Sequence, residues 1–97
     1  MNRVTIEREA GEDAERAAIW YESQRSGLGT EFVVELDAAI DRAAEQPEAY
    51  ESIYKTVRRV LLRRFPYSLY FTYTDSLVRI IAVLHQSREP ESWQARL

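Results

Sequence analysis

At 97 residues, 45% of them hydrophobic and 30% charged, the chain has the size and make-up of one folded domain and not of a disordered segment. It has no cysteine, which excludes disulfides, thiolate metal sites and a cysteine nucleophile. The N-terminus has no apolar signal core, and no run approaches the roughly 20 apolar residues that span a bilayer, so a soluble cytoplasmic protein without membrane contact is expected.

Net charge is −3 and unevenly spread. Residues 1–50 hold five arginines against twelve acidic residues, and residues 51–97 hold eight basic against four acidic residues. That asymmetry predicts an acidic layer and a basic layer, or simply two differently charged solvated surfaces.

Arg3 to Glu7 alternates, with Val4 and Ile6 on one side, and predicts a short first strand. From Ala10, the residues Ala14, Ala17, Ala18 and Tyr21 recur at helical spacing, and the helix should end near Gln24. Glu12, Asp13 and Glu15 suit its first turns through the helix dipole. Ser26-Gly27-Leu28-Gly29 is a turn, after which Phe32, Val33, Leu36, Ala39, Ile40 and Ala43 form the stripe of a second helix reaching about Gln46. Pro47 stops it. A short glycine turn between two amphipathic helices predicts an antiparallel hairpin, with the alanine face allowing close approach. Trp20, Tyr21 and Phe32 read as core, and the acidic pairs Glu31–Glu35 and Asp37–Asp41 as solvated helix face.

Beyond Pro47 the helical period disappears. Thr56 to Leu62 reads as a strand, and Phe65-Pro66-Tyr67 as a break. Ser68 to Thr74 follows, with Leu69, Phe71 and Tyr73 on one face. After the turn Thr74-Asp75-Ser76 comes the strongest strand, Leu77 to His85. Regular alternation would put Val78, Ile80, Ala82 and Leu84 on one face and Arg79, Ile81, Val83 and His85 on the other. A strand apolar on both faces is expected to be central. The tail, Gln86 to Leu97, is a short helix or an extended arm.

The expected fold is therefore α+β, one domain over residues 1–97: an N-terminal strand, an antiparallel helical hairpin, a three-stranded antiparallel meander and a short tail. The first strand would pair at the edge or beside a later strand. The hairpin would cover one sheet face, with Leu36 and Ile40 against Val78, Ile80 or Ala82, and the other face would carry the arginines.

Several segments, in this order, resemble the RelE/ParE toxin superfamily of type II toxin–antitoxin systems. They are Trp20-Tyr21-Glu22, Gly27-Leu28-Gly29 before Phe32, Arg63-Arg64-Phe65-Pro66-Tyr67, and Ala82-Val83-Leu84-His85-Gln86-Ser87-Arg88 followed by Pro90 and Trp93. The resemblance covers nearly the whole chain. It implies a compact antiparallel sheet on a helical hairpin, and neutralisation by a cognate antitoxin whose C-terminal segment folds along the toxin. It also implies one of two targets. RelE-like members cut messenger RNA in the ribosome, and ParE-like members block DNA gyrase.

Metal-free RNA cleavage needs a base for the 2′-hydroxyl, a proton for the leaving oxygen and positive charge at the phosphate. His85 is the only histidine, and Arg58, Arg63, Arg79 and Arg88 are possible phosphate clamps, with Tyr67 as a hydroxyl. By resemblance, Arg63 and Arg88 stand near the positions of essential nuclease arginines. Trp93 stands near the position of a nuclease tyrosine, and an indole is no practical acid or base. Lys55 is the only lysine, and an acidic chain suits a site among ribosomal phosphates poorly.

A gyrase inhibitor needs only a binding surface. Arginine and tryptophan are favoured anchors, and Arg88, Trp93 and Arg96 in the tail fit that role. The AVLHQS run also resembles ParE-like members more than the nucleases. The candidate target- or antitoxin-binding set is thus Arg58, Arg63, Arg64, Tyr67, Arg79, His85, Arg88, Trp93 and Arg96, and a nuclease would use Arg63, His85 and Arg88. Arg58 and Arg59 alternate faces in a strand, so one of them should pair with helix carboxylates, and Arg63 and Arg64 face the same division. His85 at a strand end reads equally as a hydrogen-bonded structural histidine. One histidine and scattered carboxylates give no metal site, no glycine-rich phosphate loop is present, and no cofactor is expected.

Overall fold

The computed structural model describes residues 2–88 and 90–97. The order is β1 (Arg3–Ile6), α1 (Arg8–Gln24), α2 (Leu28–Glu45), β2 (Ser52–Tyr54), β3 (Val57–Leu61), β4 (Tyr67–Thr74), β5 (Leu77–His85) and α3 (Glu91–Gln94). The strands form one sheet in the order β1-β5-β4-β3-β2. β1 runs parallel to β5, and the other neighbours are antiparallel. The expected meander therefore gains a short fourth strand, β2, too brief and too exposed to register as periodicity.

The hairpin closes as the glycines and alanines dictate. Gly27 has φ 90°, a conformation that costs a side-chain-bearing residue energy. At Gly29 a Cβ would meet the Ala18 carbonyl oxygen at 2.6 Å, so α1 and α2 touch there only because the side chain is absent. Glu22, reaching across from α1, accepts the N–H groups of Gly27 (2.9 Å) and Gly29 (3.0 Å) and so satisfies donors at the start of α2. At the β4–β5 turn Asp75 (φ 52°) and Ser76 (φ 62°) are both left-handed, the conformation of a two-residue hairpin whose twist matches its strands.

Leu36, Ile40, Ala39 and Ala43 of α2 pack with Ala10, Ala17 and Tyr21 of α1 onto Val78, Ile80, Leu69 and Phe71. The ring of Phe32 lies 5.1 to 5.4 Å from those of Tyr21, Phe65 and Tyr67, closing the end of this core.

One departure from sequence expectation reorganises the sheet. Tyr70 pairs with Ala82 but Phe71 pairs with Ile80, so Ile81 is an extra residue, a β-bulge in β5. The bulge reverses the alternation. Val78 and Ile80 face the helices as expected, but beyond it Val83 faces them, while Ala82 and Leu84 turn to the opposite face.

That opposite face is not the open arginine surface expected. Val57, Tyr70, Ile81, Ala82 and Leu84 make it apolar, and α3 covers it. The Trp93 ring stacks on Tyr70 at 5.0 Å and 21° and meets Tyr54 edge-on at 5.7 Å. Among the described residues no helix is long and apolar enough to cross a membrane.

Candidate functional site

β1 pairs with β5 only over Leu77–Ile80, so the rest of that β5 edge needs other partners. Asp13 of α1 supplies one. Its carboxylate, with a side chain only 1% exposed, accepts the Val83 N–H at 3.0 Å. Arg96 closes the arrangement. Its guanidinium grips Asp13 in a bidentate pair (2.5 and 3.0 Å) and donates to the Ile81 carbonyl at 3.1 Å. These bonds raise the Arg96 pKa above its ordinary value against the opposing effect of burial. Arg16 adds a 2.7 Å bond to Asp13 Oδ1, which Arg96 also holds.

Above Asp13 lies a cleft between α1 and the end of β5. Two adjoining cavities, of about 240 and 430 Å³, share Trp20, Tyr67 and His85 as walls. Arg16 and Arg88 line the first, and Tyr21 and Pro66 the second. Tyr67 and His85 are cross-strand partners, their rings edge-on at 5.4 Å. Burial raises the Tyr67 pKa, with Arg88 opposing and Asp13 reinforcing it. Burial, then Tyr67, raises that of Tyr21. Tyr67 therefore offers a neutral hydroxyl at physiological pH.

His85 is held by its own turn. Its Nδ1 accepts the Ser87 N–H at 3.0 Å and lies 2.8 Å from Ser87 Oγ. Because a backbone N–H can only donate, a neutral ring must carry its proton on Nε2. The imidazole then presents a donor outward, and its acceptor nitrogen is occupied.

Of the residues singled out from the sequence, Tyr67, His85 and Arg88 meet in this cleft. Arg63 lines neither cavity; it lies in the bend before Phe65. The other candidates have internal partners. Arg64 meets Glu31 at 2.6 Å and Glu35 at 3.7 Å, so that acidic pair is not a free solvated face. Arg79 meets Glu7. Arg58 donates to the Tyr50 carbonyl instead of a helix carboxylate. Trp93, 5% exposed, and Arg96 anchor the tail onto the domain and are not presented outward as expected. Among the described residues, Arg63 and Arg88 are the candidate arginines with neither an ion pair nor a carbonyl partner.

Sequence reasoning missed three participants. Asp13 read as a helix-dipole residue and is the buried floor. Arg16 belongs to no motif. Trp20 read as core and is 56% exposed. The signal was available, since Arg16 and Trp20 are four apart and share a helix face beside the Ala17–Tyr21 stripe. Among the described residues no group of three potential ligands could hold a metal ion.

Comparison with known proteins agrees with this architecture. Residues 4–90 match the family model of the ParE toxin of the type II toxin–antitoxin system parDE. Toxin ParE2 of Mycobacterium tuberculosis is 31% identical over 62 residues, 64% of this chain and 59% of that protein, so the match spans under two thirds of the relative's length. A structure of a chromosomal ParDE system from P. aeruginosa superposes with TM-score 0.77 at 16% identity, covering 88% of this chain and 96% of that one. The isolated E. coli RelE toxin superposes with TM-score 0.68 at 18% identity, covering 98% and 95%. At those identities the two structures speak for the fold alone. With the family model covering most of its length, and with the sheet, hairpin and tail in place, this chain belongs to the ParE toxin family of type II toxin–antitoxin systems.

Proposed function

We propose that this chain is a toxin that inhibits DNA gyrase by binding, with the cleft of Trp20, Tyr67, His85 and Arg88 as its contact surface, and that a cognate antitoxin neutralises it. The observation that carries a binding role over RNA cleavage is the Ser87 N–H on His85 Nδ1. A general base at Nε2 would require the proton on Nδ1, which would cost that hydrogen bond. The trio that a nuclease would use is also divided, since Arg63 lines neither cavity. Half-exposed tryptophan beside arginine is the composition of binding hot spots. An acidic chain with a single lysine suits a protein target better than a site among ribosomal phosphates.

The antitoxin reading rests on the family, which is that of toxins paired with antitoxins, and on the same cleft. Apolar side chains of an antitoxin segment would seat between Trp20 and Tyr67, with acidic ones meeting Arg88. Such charge pairing speeds association and makes it salt-sensitive.

The test uses one preparation in two assays, supercoiling by purified gyrase and cleavage of messenger RNA on programmed ribosomes. Loss of supercoiling with intact message is expected. Cut message with normal supercoiling would overturn the reading. Coexpression with the product of the adjacent gene should return a complex at low salt, and failure with both proteins folded would count against the pairing.

A further inference from the structure

The cleft between α1 and the end of β5 divides by chemistry into two halves. Every residue lining its larger cavity, of about 430 Å³, carries a ring: Trp20, Tyr21, Pro66, Tyr67 and His85. The smaller cavity, of about 240 Å³, holds the charged groups Asp13, Arg16 and Arg88. Trp20, Tyr67 and His85 wall both, so the two halves open onto one another.

The polar side chains that the smaller cavity offers are donors. Asp13 is the one carboxylate among them, and its oxygens already accept from Arg16, Arg96 and the Val83 N–H. The imidazole of His85 turns Nε2–H outward, because the Ser87 N–H occupies Nδ1. The Tyr67 hydroxyl stays protonated, and it feels the charges of both Arg88 and Asp13, on the wall and the floor. Among the described residues, the Tyr67 hydroxyl, His85 Nε2 and the Arg88 guanidinium have no hydrogen-bond or ion-pair partner. Two guanidiniums and two neutral donors around a saturated carboxylate suit an oxyanion.

From this juxtaposition we infer that the cleft is a binding site for a mononucleotide, with its phosphate held by Arg16, Arg88, Tyr67 and His85 and its base stacked in the ring-lined half. A phosphate monoester brings nearly two negative charges and three acceptor oxygens, which match converging donors better than the single charge of a carboxylate. Aromatic walls stack a heterocycle whatever its hydrogen-bonding edge, so the slot selects a class of ligand and not one base. The two cavities together fall within the roughly 300–1,000 Å³ of small-molecule sites. The surroundings favour a single nucleotide over a strand. Glu12 and Glu15 share with Arg16 and Ile19 the surface just outside, so phosphates running out past Arg16 would meet carboxylates. The donors are also held in place beforehand, since Tyr67 and His85 are cross-strand partners and Arg16 is fixed to the buried Asp13. Binding is a property of the chain alone and does not require that the cleft also meet gyrase.

The test titrates the full chain with AMP, adenosine and inorganic phosphate, followed by isothermal calorimetry and by quenching of Trp20, the exposed one of the two tryptophans. AMP should bind and quench, and adenosine and phosphate should each bind about tenfold or more weakly. Arg88→Gln should weaken AMP binding about tenfold or more and leave adenosine unchanged, as loss of a charge-assisted contact to phosphate would. Trp20→Ala should weaken AMP and adenosine alike and leave phosphate unchanged. Both positions are exposed, so the variants keep their fold, which circular dichroism checks. A short 5′-phosphorylated oligonucleotide should bind no better than AMP. No AMP binding at millimolar concentration, phosphate bound as tightly as AMP, or AMP binding indifferent to either variant would each overturn the proposal. Tighter binding of the oligonucleotide would overturn it too, by making the cleft a site for a strand.

Discussion

Asp13 holds four hydrogen bonds from three residues, two of them arginines, while almost completely out of solvent. Removing one partner of a buried ion pair leaves the other uncompensated, a change costing about 3–5 kcal/mol. Asp13→Ala should therefore lower stability by an amount of that order in equilibrium urea denaturation. It should also loosen the tail, seen as faster amide exchange around Trp93. A loss under about 0.5 kcal/mol, the behaviour of an exposed site, would mean that the Asp13–Arg96 pair does not hold the tail. Trp20 is the opposite case. It is more than half exposed, so Trp20→Ala should shift stability by no more than about 0.5 kcal/mol. The same variant should nevertheless abolish inhibition of supercoiling, because the cleft loses its largest wall. Full inhibitory activity in a folded Trp20→Ala protein would move the target contact elsewhere. Neither role is decided by the sequence, although the spacing of Arg16 and Trp20 hints at the second. Aspartate near the start of a helix and tryptophan beside an apolar stripe each have an ordinary explanation, and only the position of β5 decides between that and the observed role.

At the scale of elements, what was periodic was legible. The ends of α1 and α2 lie within about two residues of expectation, because turn glycines and Pro47 mark them. β4 alternates without interruption, and Leu69, Phe71 and Tyr73 share one face as read, which is the helix side. β5 does not, because one extra residue changes no propensity and leaves no mark in an all-apolar run. The tail reads as a short helix or an extended arm; it is the helix, and a cover, which nothing local to it announces, since Tyr70 and Ala82 underneath are distant in sequence. The core assignment made from the α2 stripe gives a direct test. Leu36 is buried against the sheet, and Leu36→Ala should cost about 2–5 kcal/mol. In a domain of this size that is a large part of the total stability, so the variant should unfold at a markedly lower urea midpoint. An unchanged midpoint would mean that α2 packs on a different stripe.

At the scale of the molecule, the charge asymmetry is less a pair of layers than a set of crossties. Three basic residues of the second half, Arg64, Arg79 and Arg96, are bound by acids of the first, namely Glu31 and Glu35, Glu7, and Asp13 and Glu9. Each tie joins the helical layer or its approach to the sheet or tail, so the net charge of the halves reports how they are fastened. The other five basic residues of that half, Lys55, Arg58, Arg59, Arg63 and Arg88, form no ion pair with a described residue, and Arg58 donates to a backbone carbonyl instead. Glu31 is the tie with a clear acid dependence. Hydrogen bonds from Arg64, then from Arg25, hold its carboxyl below the ordinary carboxylate value, outweighing a small opposing effect of burial. A lowered folded-state value means that the stabilisation is present above the unfolded value and disappears as pH falls through the folded one. Glu31→Gln should therefore lower the urea midpoint near pH 7, and the gap to the parent chain should close as pH falls through the lowered folded-state value, below which both carry a neutral side chain. Because the group is partly exposed, high salt at neutral pH should narrow the gap as well, whereas the effect of Asp13→Ala should survive salt. A gap independent of both pH and salt would mean that the variant acts through packing, and that Glu31 does not tie the helical hairpin to the bend before β4.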